Sequence, residues 1–391
     1  MTFSTLYPSA ERPNHGVFVE NRLRHLVATQ PVRSTVMAPV PYFPSAAARF
    51  GDWGQHARVA RHEVRHGLRV YHPRYPLLPR VGMTTAPYLL YWASLRAVQR
   101  LMAAGLQFDV IDAHYLYPDG VAAVWLGQRL GRPVVLTARG SDVTQIATYP
   151  APRRLIQMAV QAAAGVVTVS SALRDGVLAL GAAPDRVQVL RNGVDVDLFR
   201  PMNRAAIRQA LGLTRPTLIS VGHLIERKGH AITIEAMRLL PEWDLVILGE
   251  GPGRADLEAL VGRLGLAGRV RLLGARPHGQ LAACYGAADV MVLASSREGW
   301  ANVLLESMAC GTPVVASDIP GNPEVVQCRD AGLIAPRTPE GIAAGVRDLW
   351  AAPPDRAATR AYAERFGWDE TSAGQYALFR SVSSPSPSGP G

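Results

Sequence analysis

Val290-Met291-Val292-Leu293-Ala294-Ser295-Ser296-Arg297-Glu298-Gly299-Trp300-Ala301-Asn302-Val303-Leu304-Leu305-Glu306-Ser307-Met308-Ala309-Cys310-Gly311-Thr312-Pro313-Val314-Val315-Ala316 reads as a strand, a loop, a helix and a second strand. Residues 290–293 and 313–316 are short apolar runs of the kind buried on both faces of a parallel sheet. The helix between them is expected to start near Ala301. A helical crossover joining two parallel strands is the repeating unit of a doubly wound α/β sheet.

The pattern extends in both directions. Strands are expected at 217–221, 244–248 and 270–273, each followed by a helix or loop. Upstream, 110–111, 134–136, 166–169 and 187–190 read as buried strands, and 2–6 as a bare strand. Stretches 17–28, 86–104, 120–130 and 171–180 are amphipathic and read as helices. A length of 391 residues suits two domains. Two tandem βαβ series predict an α/β chain of two Rossmann-like doubly wound domains facing a central cleft, at 1–198 and 199–366. They join through the turn-rich Asn192-Gly193-Val194-Asp195 and on to Pro201. Residues 40–82, rich in Pro, Arg, His and aromatics, read as an irregular basic insertion, and 383–391 as a polar flexible tail.

Composition narrows the function classes. With 48% hydrophobic and 18% charged residues the chain has a sizeable core and is not a disordered one. Cys284, Cys310 and Cys328 lie far apart and cannot all pair, which argues against a disulfide framework and a zinc site and for a reducing compartment. No apolar run reaches the roughly 18 residues of a membrane span. Residues 1–14 lack the basic-then-apolar pattern of a signal peptide, so a cytoplasmic protein is expected. Residues 1–107 carry a net charge of +9 out of +10 for the whole chain. That excess suits the anionic inner face of a membrane, with Phe43, Phe50, Trp53, Tyr88, Tyr91 and Trp92 as apolar contacts. The alternatives are solvated faces of an Arg-rich chain and, for residues 88–92, the buried side of a helix. No nucleic-acid recognition motif accompanies the charge, so nucleic acid is not an expected partner.

In open α/β sheets ligands bind outside the carboxyl ends of the strands, so the loops there carry the chemistry. Gly222-His223-Leu224-Ile225-Glu226-Arg227-Lys228-Gly229 follows the first strand of the second domain. Gly222 permits a tight exit, and Arg227 and Lys228 sit where a helix N-terminus already favours an anion. Lys228 is the only lysine in the chain, and a compact point charge with rotatable donors suits a phosphate. In the loop after 290–293, Gly299 and Trp300 lead into a helix whose free N–H groups at Asn302 to Leu304 would meet that phosphate. Glu306 would accept two hydrogen bonds from a ribose diol, and Glu298 would reach a sugar hydroxyl. Solvated charges are the competing reading for all four ionic residues. Gly249-Glu250-Gly251-Pro252-Gly253 resembles a dinucleotide fingerprint but lacks its third glycine at the right spacing, and reads as a turn near the nucleoside.

With these residues the chain resembles the retaining glycosyltransferases of family four, which have the GT-B fold. The resemblance rests on Asn192-Gly193-Val194-Asp195, Lys228-Gly229, Gly249-Glu250-Gly251-Pro252 and Ala287-Ala288-Asp289-Val290. Its most specific stretch runs from Ser296-Arg297-Glu298-Gly299 through Glu306 to Val315. In the first half Pro13-Asn14-His15-Gly16-Val17-Phe18-Val19, Asp119-Gly120 and Thr137-Ala138-Arg139-Gly140-Ser141-Asp142 also match. The resemblance implies a UDP- or GDP-linked sugar donor bound mainly by the second domain. Glu306 would then hold the ribose, Lys228 the diphosphate and Glu298 the hexose, with help from the N–H groups near Asn302 and Val303. Gly16, Gly222, His223, Gly251, Gly299 and Trp300 complete the expected donor site. The resemblance implies transfer with retained configuration, with no bound metal and no other cofactor. The acceptor, a saccharide or lipid-linked saccharide of cell-envelope or exopolysaccharide synthesis, would lie in the first domain near Gly16 and the basic insertion. The last helix, about 367–382, is expected to pack back on that domain.

The chain departs from the family at two positions. His223 stands where Arg is common, so that either Arg227 supplies that charge from a neighbouring position or the site binds with one cation fewer. Arg139 stands where the family has a sugar-contacting His, so it is expected at the diphosphate or an anionic acceptor. His114, at the end of a first-domain strand, is expected beside the cleft, with a hydrogen-bonded structural histidine as the other reading. A nucleotide-sugar epimerase of the same fold would need acid and base groups on both faces of the sugar. A non-enzymatic membrane module would make Glu298 and Glu306 dispensable.

Overall fold

Residues 1–77 and 82–383 are described by the structure, a computed structural model. The chain divides into two compact units: Met1–Arg191 together with the chain from Trp368 on, and Asn192–Gly367. The first division falls at Arg191, ahead of the expected 198, because the joining segment bonds into the second unit. There the Val194 N–H donates to the Phe366 carbonyl, and the Phe199 ring lies 5.0 Å from that of His278.

In chain order the strands of the first unit are β1 (Thr2–Phe3), β2 (Thr35–Met37), β3 (Val40–Pro41), β4 (His62–Arg65), β5 (Leu68–Tyr71), β6 (Arg74–Tyr75), β7 (Ile111–His114), β8 (Val134–Ala138), β9 (Gly165–Thr168) and β10 (Val187–Val189). Eight of them form one sheet in the order β10-β9-β8-β7-β1-β2-β5-β4, while β3 and β6 pair separately. Every neighbouring pair is parallel except β4 with β5. Residues 40–77 are thus an ordered extension of the sheet rather than irregular, with a helix at Gly51–Arg58 and a hairpin at the edge. Along β4 the exposed side chains are His62 and Val64, while the charged Glu63 and Arg65 are half-buried against His72 and Glu20, and charges on the inner face hide the strand in the sequence. Residues 78–81 of the expected insertion and 384–391 of the expected tail lie outside the described residues.

β7 continues to His114 instead of stopping at Ile111. Asp112 and His114 look unsuited to a buried strand, yet both are buried, with the His114 ring nitrogens and Asp112 Oδ2 hydrogen-bonded. The His114 Nε2 lies 3.1 Å from Asp112 Oδ2, which also accepts from Gln375 Nε2 at 3.0 Å. Gln375 Oε1 in turn accepts from the buried Arg22 Nε at 2.7 Å. Gln375 belongs to the last helix, Asp369–Ser383, which packs on the helix Val17–Thr29 and so completes the first unit. In the helix Gly82–Ala103, Tyr88 and Trp92 are 50% and 55% exposed, so the buried side expected there belongs instead to Leu90, Leu95 and Val98. Among the described residues no helix is long and apolar enough to cross a membrane.

The second unit holds β11 (Thr217–Val221), β12 (Asp244–Leu248), β13 (Val270–Leu272), β14 (Val290–Leu293), β15 (Val314–Ser317) and β16 (Gly332–Ala335), all parallel, in the order β13-β12-β11-β14-β15-β16. Strand order reverses between β11 and β14 here, and between β1 and β7 in the first unit. At such a reversal successive crossovers leave on opposite faces, and a crevice opens at the carboxyl ends.

Replacing Gln375 with Leu removes both the acceptor of Arg22 Nε and a donor to Asp112. Urea unfolding is expected to show a loss of about 1–3 kcal/mol, whereas a surface change such as Glu370→Gln leaves stability unchanged.

Candidate active site

The loops after β11 and β14 meet at the reversal point of the second sheet. Lys228, on a short turn before the helix His230–Ala236, donates from Nζ to Glu298 Oε1 at 2.6 Å. Ser295 Oγ donates to the same oxygen at 2.7 Å. Arg227 Nη1 donates to the Arg297 carbonyl at 2.9 Å and lies 3.7 Å from Glu298 Oε2. The turn that delivers Lys228 depends on Gly229. Its φ is +70°, and a Cβ there would fall 1.9 Å from the Ala294 carbonyl at the end of β14. Gly222 lies against the Lys228 side chain, whose Cδ would be in ordinary contact with an added Cβ at 3.4 Å. The Gly249–Gly253 loop clasps this loop. Leu224 N–H donates to the Glu250 carbonyl and Gly253 N–H to the Leu224 carbonyl, both at 2.9 Å, with Gly251 lying between those bonds. His223 is exposed, and Gly299 and Trp300 are buried, with the Trp300 ring 6.1 Å from Phe366.

The helix Asn302–Ala309 begins without a side-chain cap. Two of the three N–H groups expected to be free there are used. Asn302 N–H donates to the Trp300 carbonyl at 3.1 Å and Leu304 N–H to the Ala301 carbonyl at 3.0 Å. The tight entry of the chain into the helix causes this, and of the three it is the Val303 N–H that makes no such turn bond. The Asn302 Oδ1 accepts from Asn192 Nδ2 at 3.3 Å.

Glu306 sits on this helix with both carboxylate oxygens engaged. Oε1 accepts from His278 Nε2 at 3.0 Å and Oε2 from the Tyr285 hydroxyl at 3.1 Å. A carboxylate has about four acceptor sites, so two remain for a diol. Burial alone would lower the His278 pKa, but the hydrogen bond to Glu306 and its charge outweigh burial and raise it. Tyr285 is pushed well above its ordinary value by burial and by Glu306, so its hydroxyl stays a donor. Neither partner was legible as a site residue, because both read as ordinary positions around a helix start. His278 is flagged only by its place just before a crossover helix.

In the first unit the structure brings Gly16, His114 and Arg139 into one region. Arg139 Nη2 donates to His114 Nδ1 at 2.6 Å, and its guanidinium lies 5.2 Å from the Phe18 ring, just past the Gly16 turn. Gly16 has φ +69°, and a Cβ there would fall 2.3 Å from the Leu6 carbonyl. Since Nδ1 accepts, Nε2 carries the proton toward Asp112, and His114 is a neutral imidazole. Burial lowers its pKa in the same sense. At 1% exposure and with both nitrogens engaged, His114 does not reach a reactant: the expected catalytic group is a support for Arg139. Arg139 itself is brought down to about 9 by burial and the nearby Arg22. Asp142, which accepts from the backbone N–H groups of Leu116, Arg139, Gly140 and Val143, fixes the loop carrying it. Among the described residues no three His, Cys, Asp or Glu side chains converge as a metal site, and all three cysteines are free.

A raised folded-state pKa means that His278 contributes stability fully below its unfolded value of about 6.5. The contribution is lost as pH rises through the folded value. The melting temperature of the wild type relative to His278→Gln is therefore expected to fall between pH 6 and pH 8.5, while Glu306→Gln removes that dependence. Differential scanning fluorimetry across this range measures it.

Comparisons with known proteins bear on the family and the fold. Residues 203–366 match the family described as Glycosyl transferases group 1, and residues 16–198 that described as Glycosyltransferase Family 4. The D-inositol 3-phosphate glycosyltransferase of Segniliparus rotundus is 32% identical over 70% of this chain and 66% of its own. That of Mycobacterium bovis is 31% identical over 70% of this chain and 62% of its own. The chain thus spans a little under two thirds of the length of these relatives. Among solved structures, sucrose-phosphate synthase from Thermosynechococcus elongatus has a TM-score of 0.76 at 21% identity, over 94% of this chain and 93% of its own. Anabaena HepE in complex with UDP-glucose has a TM-score of 0.70 at 20% identity, over 97% and 98%. The fold shared with these proteins and the two matched segments, one in each unit, place the chain in glycosyltransferase family four, with the GT-B fold.

Proposed function

We propose that the protein is a retaining, metal-independent glycosyltransferase that moves a hexose from a nucleoside-diphosphate sugar to a saccharide or lipid-linked saccharide acceptor in cell-envelope or exopolysaccharide synthesis. One observation carries this reading: the Lys228–Glu298 pair, with the Val303 N–H nearby in sequence, at the reversal point of the second sheet. A diphosphate arriving there competes for Lys228 and releases Glu298 to accept from a hexose hydroxyl. Glu306, steadied by His278 and Tyr285, accepts from the two ribose hydroxyls. When the bond between the anomeric carbon and the diphosphate oxygen breaks, the electron pair leaves with the diphosphate. Lys228, Arg227 and the Val303 N–H meet that charge as fixed donors, which cost no reorganisation during the step. The acceptor hydroxyl oxygen bonds the anomeric carbon on the same face, and its proton leaves with the diphosphate.

The complex of HepE with UDP-glucose favours uridine over guanosine for the donor. The acceptor is proposed to lie in the first unit beside Gly16, with Arg139 and Arg12 as cations of that region. The cytoplasmic face of a membrane, met peripherally, is the proposed place of work, on the strength of the net charge of +9 in residues 1–107.

A thermal-shift panel of UDP, GDP and ADP tests the donor site. UDP at a hundredfold excess over its Kd is expected to stabilise the protein by about 2.7 kcal/mol. The shift is expected to vanish in Lys228→Ala and to shrink at least tenfold in apparent affinity in Glu306→Ala. No shift with any nucleoside diphosphate would overturn the reading.

A further inference from the structure

The helix Gly82–Ala103 carries two neighbouring ridges of different chemistry. Leu89, Ala93, Ala97 and Leu101 form an apolar one, and Trp92, Arg96 and Arg100 an aromatic and cationic one, each at the four-residue spacing that stacks side chains along a helix. Together they wall a groove of about 560 Å³ in the first unit, whose other side is residues 71–74 at the carboxyl end of β5, with Arg61 beyond them. Among the described residues four guanidinium groups border the groove and no carboxylate does. One of them, that of Arg74, is spent on the carbonyls of His56 and Val59. Arg61, Arg96 and Arg100 are exposed and without an ion-pair partner among the described residues. Some arginines elsewhere in the chain are held by carboxylates, as in Arg58 with Glu11, Arg65 with Glu20, and Arg204 and Arg208 with Asp289, whereas among the described residues the three at this groove are not. A groove with an apolar wall and a rim of unpaired guanidinium forks fits an amphiphile whose charged end is a phosphate.

The groove is not isolated. His72 lines it and also lines an adjoining cavity of about 200 Å³, bordered by Thr5, Arg12, His15 and His56. Burial and the neighbouring Arg12 bring His15 and His56 down to about 4, so both are neutral imidazoles near pH 7. His15 Nε2 donates to the Thr5 carbonyl at 3.1 Å and the His56 ring accepts from Arg12 Nη1 at 3.4 Å, which leaves a His15 acceptor and a His56 donor, a set that suits sugar hydroxyls rather than a phosphate. His15 immediately precedes Gly16, beside which the acceptor is proposed to lie.

We propose that the groove binds the phosphate and the first hydrocarbon units of a lipid-linked acceptor, with the saccharide of that acceptor in the adjoining cavity. This rests on the transferase reading and narrows its acceptor to a saccharide joined to a lipid through phosphate. The apolar ridge holds the chain, the guanidinium rim holds the phosphate, and the cavity presents the sugar to the Gly16 turn.

Isothermal calorimetry with farnesyl phosphate, kept below its micelle concentration and without nucleotide, is the test. The full chain is expected to bind it at least tenfold more tightly than farnesol or inorganic phosphate. Arg96→Gln with Arg100→Gln, on the exposed side of one helix, is expected to weaken binding at least tenfold while the UDP shift stays unchanged. Absence of binding, or binding indifferent to the double variant, overturns the proposal. So does co-sedimentation with phosphatidylglycerol vesicles that depends on the same two arginines while farnesyl phosphate is ignored, because the surface would then serve the bulk bilayer. Loss of the UDP shift in the wild type is a separate result and counts against the transferase reading itself.

Discussion

Lys228 Nζ and Glu298 Oε1 lie 2.6 Å apart, and the rest of the second unit is arranged to make that distance. The two residues stand on different crossovers of one sheet. They meet because the sheet winds outward in both directions from β11 and β14. Neither charge is fully solvated: the side chains are 15% and 9% exposed. Lone charges at that depth would be costly, whereas a paired ammonium and carboxylate with a serine hydroxyl on the same oxygen are tolerated. The pair therefore keeps a cation half-buried at the reversal point and in place for an anion. The Gly229 turn and the bonds of Leu224 to the Gly249–Gly253 loop hold the backbone that makes the pair possible.

Much of this was legible in the sequence, for identifiable reasons. Strands β11, β12 and β14 are continuous apolar runs between polar loops, and their expected limits match. The lone lysine stood out in a chain that otherwise uses arginine. Several of the errors share a cause: a polar group is satisfied by a partner that the local pattern does not show. Asp112 and His114 ended a strand on paper, yet Gln375 and Arg139 let them continue it. His278 and Tyr285 gave no signal, because their role exists only once Glu306 is placed between them. The N–H groups of Asn302 and Leu304 were counted as free because a helix start was assumed to be open, whereas this one is entered through a tight turn. The hairpin of β4 and β5 was hidden because the half-buried residues of β4 are the charged Glu63 and Arg65, paired with His72 and Glu20.

The two units keep their polar groups in different ways. In the second, charges gather where two loops cross and stay partly accessible. In the first, a chain of buried side chains runs from Arg139 through His114, Asp112 and Gln375 to Arg22. Such a network is stable only when every member is present, and it fixes the tautomer of the histidine as well as the position of the arginine. Arg139 thus owes its orientation to residues that no local motif contains.

That network has a consequence for how the chain is made. Asn192–Gly367 is continuous, so every contact of the second unit is available once that stretch has been synthesised. The first unit is begun first and finished last, since Gln375 reaches Arg22 and Asp112 only after the whole second unit has left the ribosome. Until then a buried arginine and a buried aspartate await their common partner, and the helix Val17–Thr29 lacks the helix that covers it. Domains generally form in the order of synthesis. Here the half that emerges earlier is the half that must remain unfinished, and its exposed, incomplete core during translation is the natural target for a chaperone.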